Sequence, residues 1–243
     1  MKDILQDLVA HTLPLEVIQL LKITSSDEET LIEAVADDRS IVFNAKTKTP
    51  VADFSGVFGM PNLNKLDIHL KCPEYKENAK HTIEYSQKNG EKIPSSLHFE
   101  NEAGDFQNDY RFMSTEIVNS RLQSVKFKGA AWEVNFNPQV GSIMRLKLQA
   151  NAHNDETIYQ VTTDNGNLVF SFGDASTHAG SFIFEHGVAG KLKQTWSWPV
   201  KQTLSILGLT GDINMKISDS GVMQITVDSG IAEYTYILPA QTK

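Results

Sequence analysis

Along most of this chain apolar and polar residues alternate in short runs, and few stretches keep a helical spacing for long. "KHTIEYSQ", "SSLHFENE", "NDYRFMS", "SVKFKGAAWEVNF", "GSFIFEHG", "KLKQTWSW", "VMQITVDSG" and "AEYTYILPA" either alternate or are rich in β-branched and aromatic residues, which predicts strands. Asn89-Gly90, Asp219-Ser220-Gly221 and Ser229-Gly230 punctuate them as turns. Two hairpins read clearly. "ETLIEAVADDRSIVF", from Glu29, joins two β-type runs through Asp37-Asp38; "ETIYQVTTDNGNLVF", from Glu156, does so through Asp164-Asn165-Gly166, where Asn and Gly tolerate the positive φ of a tight turn.

These hairpins overlay without a gap at an offset of 127 (156 − 29). Five of fifteen paired positions are identical, where ordinary residue usage gives roughly one by chance. Ahead of each lies a stretch that opens with a proline near its first turn, "LPLEVIQLLKI" and "NPQVGSIMRLKLQA". Behind each lies a second short helical candidate and a strand. Asp67-Ile68 matches Asp212-Ile213 at an offset of 145 (212 − 67), so about eighteen extra residues (145 − 127) fall around "FGDASTHAGSFIFEHGVAG", a longer loop or an added strand pair. The pattern predicts four helices, at about 13–25, 53–65, 137–152 and 198–209, in two similar α+β units joined near 114–124.

Composition changes the picture in three ways. Apolar residues make up 40% of the 243 and charged residues 21%, an ordinary globular balance with enough chain for one large core or two. The formal charge of −8 repels nucleic acid and anionic membrane on average, so such a partner must be met by a locally basic surface. Cys72 is the single cysteine, which excludes an internal disulfide framework and fits a reducing compartment. "MKDILQDLVAHTLPLEV", interrupted by Asp3, Asp7 and Pro14, is not of signal-peptide type, and no run reaches the length of a membrane span. The expectation is a cytoplasmic protein with no membrane partner.

Catalytic patterns are missing. There is no phosphate-binding glycine loop, no H-E-x-x-H, no C-x-x-C and no G-x-S-x-G. The histidines (His11, His69, His81, His98, His153, His178, His186) form no i, i+4 pair, and their spacing favours surface histidines over a metal site gathered from distant residues. Carboxylates cluster at Asp27-Glu28-Glu29, Asp37-Asp38 and Asn154-Asp155-Glu156, where turn chemistry and solvation account for them. We expect no enzyme activity, no cofactor and no metal.

"ADFSGVFGMPNLNKLDIHLK", the duplicated hairpin and the terminal "AEYTYILPA" resemble the DNA polymerase sliding clamps of myovirus-type bacteriophages. The terminal strand is similar as well to the end of proliferating cell nuclear antigen. The resemblance implies an α+β fold of two clamp-type domains, 1–116 and 117–243, each of antiparallel sheets with two short inner helices. It further implies a homotrimeric ring around duplex DNA, with helices inward and sheets outward. Such a ring has no enzymatic activity; a clamp loader opens it, and it tethers the replicative polymerase, with a part in late transcription, in the host cytoplasm.

Under that resemblance the helical stretches and their flanks offer Lys22, Lys65, Lys71, Arg145, Lys147, Lys193 and Lys201 toward DNA, against few acids, chiefly Glu16, Asp53 and Asp67. Arg145 and Lys147 stand two residues apart, so at most one of them points squarely inward. The tail Tyr236, Ile237, Leu238, Pro239 and Ala240, with the connector near Ile117–Val125, would form an apolar pocket for partner peptides. The other reading is a non-catalytic two-domain β-rich binding module, from a phage particle or for carbohydrate, which Trp196 and Trp198 keep open.

Overall fold

A computed structural model describes residues 1–88, 90–122, 127–174, 176 and 178–241, with the side chains of 88 and 91 left aside. The chain divides into two compact units, Met1–Lys126 with Ser229–Tyr234, and Phe127–Asp228 with Thr235–Lys243. The first unit runs α1 (Lys2–Thr12), β1 (Leu20–Ser25), β2 (Thr30–Val35), β3 (Val42–Thr47), β4 (Gly56–Pro61), α2 (Leu63–Lys71), β5 (Lys80–Lys88), β6 (Glu91–Glu100), β7 (Gln107–Arg111) and α3 (Thr115–Arg121). The second runs β8 (Val134–Phe136), α4 (Val140–Ala152), β9 (Ile158–Asp164), β10 (Asn167–Phe172), β11 (Gly180–Glu185), β12 (Trp196–Pro199), α5 (Val200–Leu207), β13 (Asp212–Ser218) and β14 (Val222–Asp228). The last strand, β15 (Ala232–Pro239), starts in the first unit and ends in the second.

All strand pairs whose register is defined are antiparallel. In the first unit the order is β4-β1-β2-β3, continued by the start of β15, and a separate meander β5-β6-β7. The second unit has β12-β9-β10-β11 and, from Thr235 on, β15-β14-β13-β8. Both units thus repeat helix, four strands, helix, three strands.

The repeat is real, but its register differs from the one that the hairpins suggest. The order β4-β1-β2-β3 matches β12-β9-β10-β11, so β9–β10 correspond to β1–β2, whereas the offset of 127 lays them on β2–β3. From Val42 to Gly180, the first residues of β3 and β11, is 138 positions; from Leu63 to Val200, those of α2 and α5, is 137. Among the described residues there is no eighteen-residue insertion: "GSFIFEHG" holds β11, the regular counterpart of β3. Neighbouring strands of one sheet share an alternation and a turn chemistry, so a slip by one strand keeps most of the matches.

Helix placement is corrected at two of four predicted positions. Residues 13–25 form a single 3₁₀ turn, Leu13–Leu15, that ends at Glu16 with φ of +61°, and then β1. The buried Leu21, Ile23 and Ser25 recur with period two, and that strand pattern overrides the proline signal. Over 53–65 the chain forms β4, and the helix follows at Leu63–Lys71, where Leu63, Leu66 and Leu70 are buried at i, i+3 and i+7. The helices expected at 137–152 and 198–209 are α4 and α5. Helix α1 lies outside the four predicted helices, although Ile4, Leu5, Leu8 and Val9 supply its buried face and Asp3 favours its first turn. The second hairpin turns as expected, through Asn165 and Gly166 at φ of +47° and +76°.

Each core is aromatic. Phe58 meets Phe54 edge-on at 5.5 Å and Phe112 at 4.6 Å in the first unit; Phe170 stacks on Phe184 at 4.2 Å in the second. Among the described residues, no helix is long and apolar enough to cross a membrane.

Candidate functional site

Four helices hold equivalent places in the two repeats: α1 and α2 in the first unit, α4 and α5 in the second. One side of each is buried in its own unit, so the other carries whatever the helices present outward. On α2 that face holds Lys65, Ile68 and Lys71. Lys71 is 2.6 Å from Asp67, one turn back, which leaves Lys65 as the less compensated cation. At His69, between them in sequence, burial and then the Lys65 charge hold the pKa below the ordinary value, which favours the neutral imidazole.

Helix α4 is unlike the others. Only Leu146 among its residues is buried, while Val140, Met144 and Leu148 are 77%, 53% and 64% exposed at i, i+4 and i+8. Two residues subtend about 200° on a helix, so Lys147 and Arg145 lie on opposite flanks of this apolar stripe, both exposed. The stripe therefore occupies the middle of the outward face and the cations border it. On α5, Lys201 is exposed beside the half-buried Gln202.

The other two expected cations are not on helices. Lys22 is on β1, its ammonium 3.7 Å from Glu33 on the neighbouring strand. Lys193 lies in the loop before β12, 4.0 Å from Asp219, which also accepts its backbone amide. Asp38, in an acidic turn, accepts the Ser40 hydroxyl and amide, which hold its pKa down as turn chemistry requires.

The C-terminal segment is largely internal. Tyr236, Ile237 and Leu238 are buried in the second unit; the Trp198 indole donates to the Leu238 carbonyl, the Ala240 amide to Gly221 and the Gln241 amide to Ser197. Pro239 is exposed and Ala240 half-buried. Trp198 is fully buried and Trp196 packs on Gly221, so neither forms an exposed aromatic platform. On the connector side, Ile117 of α3 is 49% exposed, and Leu122 lines a cleft with Val35 and Val42 of the β2–β3 hairpin. Residues 123–125 of the expected connector lie outside the described residues.

The sheet edges complete the inventory. Within the first unit, β3 is followed by the start of β15, and the Lys48 amide donates to Ile231. Among the described residues β11, the counterpart of β3, has β10 as its one neighbour in the sheet, and β7, the counterpart of β15, has β6.

No protein-family model matches the chain, and no curated protein matches it in sequence. Solved structures do match. A. fulgidus PCNA, determined with the C-terminal region of FEN-1 bound, aligns over 100% of this chain and 96% of its own, with a TM-score of 0.68 at 10% identity. PCNA from Thermococcus kodakaraensis aligns over 99% and 97%, with a TM-score of 0.65 at 11% identity. The chain has the sliding-clamp fold. Within this clamp fold, α4 and α5 stand where the sequence pattern predicts them, while α1 lies outside the predicted helices, although its apolar residues recur at i, i+1, i+4 and i+5. The apolar stripe on α4 was likewise visible in "VGSIMRLKL" once the helix is placed, but its exposure was not, because apolar residues at i, i+4 and i+8 ordinarily face a core.

Proposed function

We propose that this chain is the protomer of a DNA sliding clamp, a ring without enzymatic chemistry that encircles duplex DNA and tethers a replicative polymerase to its template. The observation that carries the reading is the full-length likeness to two PCNA structures together with the repeated helix–sheet order. A phage origin, a clamp loader, a role in late transcription and action in the host cytoplasm follow from the resemblance of the sequence to phage clamps and belong to the same proposal.

Ring closure is supported by the edges. Within the first unit β3 neighbours the start of β15, while among the described residues their counterparts β11 and β7 each have one side without a strand neighbour. A head-to-tail contact between β11 of one copy and β7 of the next repeats that junction, and such heterologous contacts close when the rotation per copy allows. Three copies, six repeats, are proposed. Toward DNA we assign Lys65, Lys71, Arg145, Lys147 and Lys201; Lys22 and Lys193 are set aside because they sit on a strand and in a loop beside acids. Contacts of this kind attract phosphate without reading sequence.

Partner peptides are proposed at two stretches, each within its own unit: the cleft at Leu122, Val35 and Val42, and the exposed end of the tail at Pro239 and Ala240. The A. fulgidus clamp was determined with a partner's C-terminal region, which supports peptide capture as the mode.

The test is the solution mass by light scattering after size exclusion, followed by retention on closed circular DNA against linearised DNA with the cognate loader. A mass near three times 27.0 kDa and release on linearisation are expected. A protein that stays monomeric at high concentration, or one retained equally on both DNAs, defeats the ring.

A further inference from the structure

The outer face of the β5-β6-β7 meander carries a polar grid that no part of the clamp reading uses. Leu97 and Phe99 of β6 are fully buried, so Ser96, His98 and Glu100 point to the other side. Register places Glu84 and Arg111 across from Ser96, Thr82 and Asp109 across from His98, and Lys80 and Gln107 across from Glu100. Asp109 is thus the direct cross-strand neighbour of His98 and Glu84 its diagonal neighbour, both within side-chain reach.

We propose that Glu84, His98 and Asp109 bind one divalent transition cation of the zinc class. Their donor atoms all lie within 4.8 Å of one another, and the His98 Nδ1 is 2.8 Å from the Asp109 carboxylate. Ligands about 2 Å from a tetrahedral zinc ion are separated by roughly 3.3 Å, so small rotations on a rigid sheet bring the three to bonding distance. One imidazole with two carboxylates selects a borderline cation over Mg²⁺, which prefers oxygen alone and retains its waters.

The surroundings supply the rest of a binding site. The Ser96 hydroxyl donates to Glu84 at 2.6 Å and orients that carboxylate. The other ring nitrogen of His98 is 3.9 Å from Glu100, so His98 with its proton on Nε2 turns that N–H toward a carboxylate while Nδ1 takes the metal. Three carboxylates share the grid with two cations: Arg111, 3.5 Å from Asp109, and Lys80, 2.7 Å from Glu100. A bound cation offsets the surplus negative charge, and water fills the remaining position on this exposed face. Because the ligands come from three strands, the ion would also pin the edge strand β7 to β5 and β6.

Calorimetric titration of the full chain with ZnCl₂ in a non-chelating buffer near neutral pH tests this without DNA, partners or a ring. Expected are one Zn²⁺ per chain, no response to Mg²⁺, a loss of more than about 100-fold in affinity for His98→Ala, and a loss of about 10- to 100-fold for Glu100→Gln. Thermal unfolding of each variant without metal checks that it folds, and Zn²⁺ should raise the midpoint of the parent chain but not of His98→Ala. No binding at millimolar Zn²⁺, or binding that survives His98→Ala and Asp109→Asn but is lost when His178 and His186 are replaced, overturns the proposal.

Discussion

The imidazole of His11 lies flat on the phenol ring of Tyr234, centroids 4.2 Å apart and planes 1° from parallel, although 223 positions of chain separate them. The Tyr234 hydroxyl donates to Asp7 at 2.6 Å, the Ser229 hydroxyl donates to the same carboxylate oxygen at 2.8 Å, and His11 lies 3.3 Å from the other oxygen. The N-terminal helix is thereby tied to the start of the last strand within the first unit.

Removing the phenol oxygen isolates one arm of that network. Tyr234→Phe keeps the ring stack and deletes a hydrogen bond to a carboxylate, so a loss of about 1.5–3 kcal/mol is expected in denaturant unfolding. An unchanged midpoint would mean that Ser229 and His11 satisfy Asp7 alone.

Two glycines separate a backbone cost from a packing cost. Gly221 (φ +77°) would set a Cβ 2.7 Å from the Trp196 ring, whereas Gly230 (φ +85°) has open space. Gly230→Ala should cost about 1 kcal/mol through conformation alone, and Gly221→Ala clearly more. Equal losses by thermal melting would remove the argument from Trp196.

Acid should loosen the first unit before carboxylates titrate. His81 is packed against Tyr75 and Phe99, and burial, followed by the Lys2 charge, holds its pKa below the ordinary 6.5. The unfolded chain then binds that proton more readily, so stability is full above about pH 6.5 and falls as pH drops below it toward the folded-state value. His69 acts in the same direction. Stability measured from pH 7.5 to 5.5 should decline in the parent chain and less steeply in His81→Phe; parallel curves would show that the proton goes elsewhere.

On the clamp reading, Arg145→Ala and Lys201→Ala should each reduce the salt dependence of DNA association by about one phosphate contact, and Lys193→Ala should leave it unchanged. An effect of Lys193→Ala equal to the other two would mean that the helices are not the DNA-facing surface.

The proposed DNA face was only partly readable from the chain. Arg145, Lys147 and Lys201 fell on helices as expected, because "PQVGSIMRLKLQA" and "PVKQTLSIL" each begin at a proline and keep a helical pattern long enough to declare it. Lys22 did not, because Pro14 opens a single 3₁₀ turn that stops at Glu16, and the chain continues as β1. The tail looked like pocket lining on grounds of apolarity; its burial depends on Trp198 and Gly221, which are near it only in the folded unit.

What the sequence determined by itself was local: strands that alternate, turns that need Asn-Gly, a shortage of catalytic motifs, and the existence of a duplication. Those features depend on residues a few positions apart, where pleat, turn geometry and helical rise fix the outcome. Tertiary structure decided the register of the repeat, which strand of each sheet is an edge, that the apolar stripe of α4 faces outward, and that Glu84, His98 and Asp109 converge. Each of these turns on which strand pairs with which across tens to hundreds of residues, and strands with the same period-two pattern are interchangeable until hydrogen-bonded pairing and core packing choose among them.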